Sequence, residues 1–543
     1  MESPVKRAAL LSVSDRTGLV PFARVLLECG FTLLTTSGTN KVLAAEGIPT
    51  LPIEEYTGQR EILDGRVKTL HPKIHGGLLA KRDATHHIAQ LEEEGILPID
   101  VAVVNLYPFT QNLSGEAAQN PAKMIELIDI GGPTMIRAAA KNFSYVLPLI
   151  DPRDYEAAGA YLKAQVARGL TVKDSAEDKA FRARLASKVF TQIANYNLQI
   201  AKYLTHVSYT EGSEGPVASA DIAQQLALGP TEGFVLTKAQ DLRYGENPHQ
   251  KATFYSVVGR EDRGWQQLNG KELSYNNLLD FDAALKLIRT IKNEQPAACI
   301  MKHLNPCGAA RGATLLDALH RAKRGDPRSH FGGVLAFSQE VTLDVAKAVR
   351  EDFAEIVLAP SYTAEALSYL QENKNLRVIK VSVETPATLA CEVRAVEGGI
   401  LIQQEDRAVS SIEQGTLVSQ TAASPDQKAD LAFAWSVCAH VKSNAIVLVK
   451  DQMLVGVGAG QMSRIDSVEL AISKAKTHGH SLLGAVCASD AFFPFPDSVD
   501  TLAREGVKAI IAPSGAKRDS DTIASVNSSG VALIFAGDRH FRH

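Results

Sequence analysis

Cysteine is sparse in this chain. The six present (Cys29, Cys299, Cys307, Cys391, Cys438 and Cys487) include no Cys-x-x-Cys pair and no grouping with histidine, which argues against a disulfide framework and against a zinc site of the usual spacing. Reduced thiols fit a cytosolic protein best. An excess of one charge is missing too: 57 Lys+Arg against 61 Asp+Glu leave a net charge of −4, too balanced for a surface built to hold nucleic acid or anionic membrane. An anionic ligand must then be held by a local site. No apolar run approaches the length of a membrane span, and the short one after Lys6 and Arg7 is too brief for a signal-peptide core. The expected location is the cytoplasm, with neither nucleic acid nor membrane as partner. No short-period repeat is present, so a solenoid or propeller is not supported. The glycine-rich run Gly456 to Arg464 fits neither the Walker spacing nor the dinucleotide fingerprint, which argues against a kinase or dehydrogenase.

What is there is enough for several cores. A length of 543 residues predicts roughly three to four folding units, and 45% hydrophobic with 22% charged residues argues against long disordered stretches. Short apolar runs at Ala8 to Val13, Phe31 to Leu34, Val101 to Val104 and Tyr145 to Ile150 read as buried strands. Helical patterns such as Gly18 to Cys29 and Asn40 to Glu46 lie between them. The alternation predicts a parallel sheet covered on both faces, with ligands at the carboxyl ends of its strands. Phe181, Leu185, Val189, Ile193, Tyr196, Ile200 and Tyr203, three or four apart, form the apolar stripe of one long helix. The Ser-, Gly- and Ala-rich stretch from about 206 to 232 reads as a linker. The expected organisation is a first domain over 1–150, a helical extension and linker over 151–232, and a second α/β region over 233–543, large enough for two sub-domains.

Three polar loops in the first region are read as following strands: Ser14-Asp15-Arg16-Thr17, Thr35-Thr36-Ser37-Gly38-Thr39 and Gly65-Arg66-Val67-Lys68-Thr69. Hydroxyls, glycine amides, helix N-termini and nearby cations are what a phosphate requires. Any one of these loops alone reads equally well as helix capping by Ser14, Ser37 or Thr39; three on one sheet edge favour a phosphate site. Asn105-Leu106-Tyr107-Pro108 ends a buried strand and so adds an amide and a phenol to that edge. Asp129-Ile130-Gly131-Gly132-Pro133 turns into a helix that ends near Lys141. Both ends of that helix can touch one ligand only if it lies alongside the pocket.

In the second region the core strand Ala297 to Met301 runs into Lys302-His303-Leu304-Asn305-Pro306-Cys307-Gly308. Adjacent strand residues point to opposite faces, so Lys302 and His303 serve one site only where the backbone bends, and Asn-Pro makes a bend plausible. For Cys307 a buried thiol is the better reading than a nucleophile. Val441-Lys442-Ser443-Asn444 leads into another strand, and Gly460-Gln461-Met462-Ser463-Arg464 follows it.

These motifs in this order (SVSDRTGL, GRVKTLHPKIHGGLL, NLYPF, DIGGPTMIRAAAKN, LRYGENPHQ, GKELSYNNLLDFDAA, MKHLNPCG, KSNAI, GAGQMSR, SDAFFPF and RHFRH) run over essentially the whole chain. Together they resemble the family of bifunctional purine-biosynthesis enzymes that joins inosine monophosphate (IMP) cyclohydrolase to phosphoribosylaminoimidazolecarboxamide (AICAR) formyltransferase. The resemblance implies an α/β protein: a methylglyoxal-synthase-like parallel-sheet domain, then a transformylase of two cytidine-deaminase-like α/β/α sub-domains without the deaminase zinc. It implies formyl transfer from the co-substrate 10-formyltetrahydrofolate to AICAR, giving FAICAR, then dehydrative closure of FAICAR to IMP. It also implies a homodimer with transferase sites between subunits, no tightly bound cofactor, and room for a structural monovalent cation such as K+.

By motif match, Ser14, Arg16, Ser37, Gly38, Thr39, Arg66, Lys68 and Thr69 would hold phosphate and ribose, with Asn105 and Gly131 also binding substrate. Lys68, Tyr107, Asp129 and Lys141 would surround the closing ring, with the proton carried by either Tyr107 or Lys141. In the transferase, His303 would be general base or proton shuttle, Lys302 would assist at the folate leaving nitrogen, and Asn444 would orient the amine or stabilise the oxyanion. Arg243, Tyr244, Phe331, Gly332, Arg464, Phe495, Arg539, Phe541 and His543 would line the nucleotide and folate pocket. The sequence departs from the family pattern at Arg16, commonly Lys, at Pro513-Ser514-Gly515-Ala516-Lys517-Arg518-Asp519, usually PGGSIRD, and at Ala536, usually Thr. Two other readings stand beside this one: a transferase whose first domain is a phosphate-ligand sensor, and a scaffold that binds without turnover.

Overall fold

The computed structural model describes residues 7–113, 116–169, 175–208, 216–218, 229–259, 262–384, 391–406 and 409–543; most of the expected linker, and Met1 to Lys6, lie outside the described residues. The chain divides into two compact units. The first is Met1–Leu236 with Val257–Gly259 and Val393–Gln403, and the second is Thr237–Ser256 with Arg260–Glu392 and Gln404–His543.

The first unit is built on five parallel strands, β1 (Arg7–Ser12), β2 (Phe31–Thr35), β3 (Leu51–Pro52), β4 (Ile99–Val104) and β5 (Leu147–Leu149), in the order β3-β2-β1-β4-β5. Alternate residues of β1 serve opposite cores, Ala8 and Leu10 on one face and Ala9 and Leu11 on the other. That is why the strand reads as an unbroken apolar run. On one face lie α1 (Leu19–Glu28), Leu43 of α2 (Ser37–Ala45) and α5 (Tyr155–Ala167). On the other lie α3 (Pro72–Leu79), α4 (Gly131–Lys141) and the long α6 (Ala176–Leu204), which enters through a Ser175/Asp178 capping box. The expected apolar stripe of α6 packs here through Val189 and Ile193.

Two local expectations change. Helix α2 begins at Ser37, not Asn40, so Ser37-Gly38-Thr39 form its first turn. The Gly65–Thr69 loop does not follow a strand: it lies between the short helix Ile53–Thr57 and α3, held by an Ile62–Val67 bridge, with Leu63, Asp64 and Gly65 at φ 56°, 55° and 86°.

The second unit carries a twelve-stranded sheet made of two halves with the same order of elements. The first half runs β6 (Trp265–Asn269), α7 (Tyr275–Ile291), β7 (Ala297–Lys302), β8 (Asn305–Arg311), α8 (Leu315–Gly325), β9 (Val334–Phe337), α9 (Leu343–Arg350), β10 (Ile356–Ala359), α10 (Ala364–Gln371) and β11 (Arg377–Val381). The second repeats it as β12 (Thr416–Leu417), α11 (Pro425–Cys438), β13 (Ile446–Lys450), β14 (Met453–Gly458), α12 (Arg464–Thr477), β15 (Val486–Ser489), α13 (Asp497–Arg504), β16 (Ala509–Pro513), α14 (Asp519–Ser528) and β17 (Ala532–Ala536). Each half is a hairpin beside three parallel strands and an antiparallel edge strand, β6 or β12, and they meet where β8 pairs antiparallel with β14.

Each hairpin packs so closely on its following helix that a glycine is required. A Cβ on Gly308 would overlap the Ala322 carbonyl oxygen, and one on Gly456, at the equivalent position, would overlap that of Ala471. Because the obstacle is backbone, it cannot rotate away. Gly456→Ala should cost about 1–3 kcal/mol, lowering the thermal midpoint at which the second unit unfolds, whereas Gly537→Ala, facing open space, should leave it unchanged.

Candidate active sites

In the first unit the strand order reverses between β1 and β4, the crevice where ligands settle in such sheets. The loops leaving those strands are fastened there. Asn105 Oδ1 accepts from Ser14 N at 2.6 Å and Asp15 N at 2.9 Å, and its Nδ2 donates to Asp15 O at 2.9 Å. Thr39 Oγ1, inside the first turn of α2, accepts from Val13 N at 3.1 Å, which ties the loop after β2 to the same edge. The helix thus brings the amides of Ser37, Gly38 and Thr39 beside the Ser14 loop, and no side chain caps it. Glu61 links Lys68 to Ser37. Its Oε2 lies 2.6 Å from Lys68 Nζ and 3.4 Å from Ser37 Oγ, and the Lys68 bond holds its carboxyl below the usual range. Arg66 pairs with Glu126, both largely exposed, and Arg16 is exposed.

Thr69 is buried against Gly131 at the start of α4, where a Cβ would press on the Thr69 hydroxyl. Asp129 closes this end of the site. Its Oδ1 accepts from Gly132 N at 2.8 Å and its own N–H donates to the Tyr196 hydroxyl at 2.8 Å. Burial pushes the Asp129 carboxyl up, against the opposing pull of the Gly132, Tyr107 and Gly131 amides. Tyr107 is 49% exposed beside it. Ser14 is thus bonded to Asn105, the amides of Tyr107 and Gly131 to Asp129, and Lys68 through Glu61 to Ser37, with Gly131 against Thr69. Lys141 is not among them. It ends α4, about 15 Å along the axis from Gly131, in a separate cavity of about 630 Å³ lined also by His75, Arg137, Phe143, Ser187 and Phe190.

In the second unit the β7–β8 turn puts two non-glycine residues, His303 and Leu304, at φ 53° and 62°. A carboxylate from α7 holds them: Asp280 Oδ2 accepts from His303 N at 3.3 Å and Oδ1 from Leu304 N at 2.7 Å. The second half repeats the device. Asp451 and Gln452 each have φ 54°, and Asp430 of α11 accepts from their amides at 2.9 and 2.6 Å. The bend expected between Lys302 and His303 is thus a left-handed hairpin turn under a helix carboxylate. Lys302 Nζ donates to Phe331 O at 2.7 Å, which places Phe331 and Gly332 beside it.

Asn305 joins this turn to the second half-site, its Oδ1 accepting from Lys442 N at 3.0 Å. Two residues on, Asn444 Nδ2 donates to Gln461 O at 3.0 Å and Met462 O at 3.2 Å, while its Oδ1 accepts from Arg464 Nη2 at 2.7 Å. The His- and Arg-rich C-terminus is docked on the same place: Ser443 N donates to Arg542 O at 2.9 Å, Arg542 N to Ser443 Oγ at 3.1 Å, and His540 Nδ1 lies 2.6 Å from Asp406 Oδ2. Beneath it His440 is buried beside Thr290 Oγ1 at 2.8 Å; desolvation, reinforced by nearby Arg542, Lys286 and His540, lowers its pKa to about 3, so it stays neutral. Cys307 is buried with its thiol pushed up to about 12 by desolvation, no nucleophile.

Several of the other expected pocket residues make cation–ring contacts. The Arg243 guanidinium lies 5.2 Å from the Tyr244 ring centre, Phe495 carries Arg518 at 5.7 Å, and Arg539 stacks on Phe541 at 4.4 Å with His543 beyond it. Sequence reasoning missed Glu61, Asp280 and Asp490. For Asp280 a signal existed, an acidic residue inside the α7 motif SYNNLLDFDAA.

Known proteins resemble the chain over both units. A family model described as AICARFT/IMPCHase bienzyme matches residues 139–474, and an MGS-like domain matches 18–134. The proteins named bifunctional purine biosynthesis protein PurH from Bacillus thuringiensis (strain Al Hakam) and Bacillus cereus (strain 03BB102) are each 45% identical over 544 residues, covering 99% of this chain and 100% of the relative. A solved structure titled "Crystal structure of ForH" is 35% identical over 37% of this chain and 96% of its own, with a TM-score of 0.33. With a family model over more than half of its length and 45% identity over 99% of it, the chain belongs to the AICARFT/IMPCHase bienzyme family.

Proposed function

We propose a division of labour for the two reactions of this bienzyme, formyl transfer from 10-formyltetrahydrofolate to AICAR in the second unit and closure of FAICAR to IMP in the first. The observation that carries the transferase reading is the Asn305–Lys442 bond, which holds the His303 turn and the Asn444 loop together. The AICAR 5-amino nitrogen attacks the formyl carbon as His303 takes its proton, and the tetrahedral oxyanion collapses with Lys302 supplying a proton to the departing folate nitrogen. Asn444 Oδ1 keeps one lone pair beyond its Arg464 bond, while its Nδ2 hydrogens already have two carbonyl partners. That favours orienting the amine over donating to the oxyanion. Phe331, Gly332 and Arg464 line this site, with Arg243, Tyr244, Phe495, Arg539, Phe541 and His543 at its outer reaches.

In the first unit, the α2 N-terminus with Ser14, Arg16, Arg66, Lys68 and Thr69 holds the ribose phosphate. The carboxamide nitrogen attacks the formamide carbon and water leaves. Asp129, its proton affinity raised by burial, and Tyr107 flank the ring. Lys141 lies at the far end of α4, so it takes part from a second copy of the chain; that need is what supports a homodimer in this reading. A cytoplasmic location belongs to the same proposal, and no helix among the described residues is long and apolar enough to cross a membrane. So does a structural monovalent cation. What bears on it is that Asp519 closes the 513–519 turn by accepting from Gly515 and Ala516, and no step above is routed through the ion. The test is an assay with AICAR and 10-formyltetrahydrofolate that follows tetrahydrofolate release and IMP formation separately. Both should rise. Tetrahydrofolate without IMP above spontaneous closure would make the first unit a sensor, and neither product would leave a binding scaffold.

A further inference from the structure

Among the buried polar groups that set the two halves of the second unit apart is Asp490, which follows β15 and is 0% exposed. Strand pairing aligns the halves residue by residue. Ala298 pairs with Phe337 in the first and Ile446 with Ser489 in the second, so Asp490 stands where Ser338 does. The helix N-caps Thr314 and Ser463 likewise align Leu315 with Arg464. In the first half Ser338 closes the strand end quietly, its N donating to Ala297 O at 3.0 Å and its Oγ accepting from Ala297 N at 2.8 Å, with Leu315 packed in the core. In the second half the same two places hold an ion pair of Arg464 with Asp490, both side chains buried.

The fold itself does not need that pair, since the first half is built without it. Buried ion pairs are often no more stabilising than apolar replacements, because desolvation offsets their attraction. What the pair does is local to Asn444. Asp490 Oδ1 binds Arg464 Nη1, its Oδ2 accepts from Ser443 Oγ, and Arg464 Nη2 reaches Asn444 Oδ1 at 2.7 Å. The backbone oxygen of Asp490 also accepts from His540 N at 3.2 Å, drawing in the C-terminal segment. Rotating the Asn444 amide by half a turn would aim its NH₂ at the guanidinium. A guanidinium fixed by Asp490 therefore dictates which end of that amide meets the substrate.

We propose that Asp490 is a positioning residue for formyl transfer, acting through Arg464 and Ser443 to hold the Asn444 amide in its reactive orientation. This deepens the role given above to Asn444 and rests on it. Asp490→Asn should lower kcat for formyl transfer about 10- to 100-fold, the scale of a small misplacement of a reacting group. KM for nucleotide and folate should move much less, and ring closure in the first unit should keep its rate. The decisive comparison is a double-mutant cycle: Asn444→Ala with Asp490→Asn should be no slower than Asn444→Ala alone. Multiplying effects, or a normal kcat in Asp490→Asn while Asn444→Ala is slow, would overturn the role of Asp490. A normal rate in Asn444→Ala would instead overturn the reading of Asn444. Should Asp490→Asn not fold, Arg464→Leu with Asp490→Ser copies the first half and removes the stranded charge. That variant should fold and transfer formyl no faster than Asn444→Ala; full activity in it would overturn the proposal.

Discussion

His303→Ala is expected to lower formyl transfer by about 10²–10⁴-fold, the contribution of a general base, while ring closure of supplied FAICAR continues at its normal rate. His303 occupies a left-handed position, φ 53°, that a non-glycine residue adopts only when its surroundings impose it. Asp280 does so by taking the amides of His303 and Leu304. The second half uses the same turn and the same helix carboxylate with Asp451 in the place of His303, so the turn is part of the fold and the imidazole is what the first half adds. Asp280 takes the two amides whatever side chain stands at 303, so alanine keeps the turn at the small cost of its less favoured left-handed position. The loss should therefore be chemical, with thermal unfolding little changed. If both activities fell together in the folded variant, the assignment of separate sites to the two units would be wrong.

Much of this was legible in the sequence, for physical reasons that also mark where reading stops. Strands such as Ala8 to Leu11 and Ala297 to Met301 are buried on both faces, so their apolar runs stand out. The α6 stripe is long enough to be periodic. Carboxyl ends of strands had to carry the polar motifs, and Ser14, Asn105 and Lys302 stand there. The doubling of the second unit came from its length and from the resemblance, not from a visible repeat, because it is kept in topology and in backbone devices, not in residue identity: the equivalent turns read Lys302-His303-Leu304-Asn305 and Lys450-Asp451-Gln452-Met453. Glu61 and Asp490 escaped for another reason. A carboxylate whose partner is 7 residues away, like Lys68 from Glu61, or 26 away, like Arg464 from Asp490, leaves no periodic mark. Lys141 shows the opposite limit, for its spacing from Asp129 gives the length of helix between them but not whether that helix lies alongside the pocket.

Lys68→Ala should do the reverse of the histidine variant, slowing ring closure by about 10²-fold or more and leaving formyl transfer intact. Lys68 has two electrostatic tasks that can be separated. It faces the proposed nucleotide site beside the α2 N-terminus, and it neutralises Glu61, whose carboxylate also reaches Ser37. Removing the cation leaves Glu61 as an unopposed anion next to the place where a phosphate must sit, so KM for FAICAR should rise as well as kcat fall. Glu61→Gln in the same chain removes the repelling charge. Lys68→Ala with Glu61→Gln should then recover much of the KM loss but not the kcat loss, because the donor that stabilises charge developing during attack is still absent. Full recovery of both would mean that Lys68 serves only to balance Glu61, and an unchanged closure rate in Lys68→Ala would remove it from the mechanism.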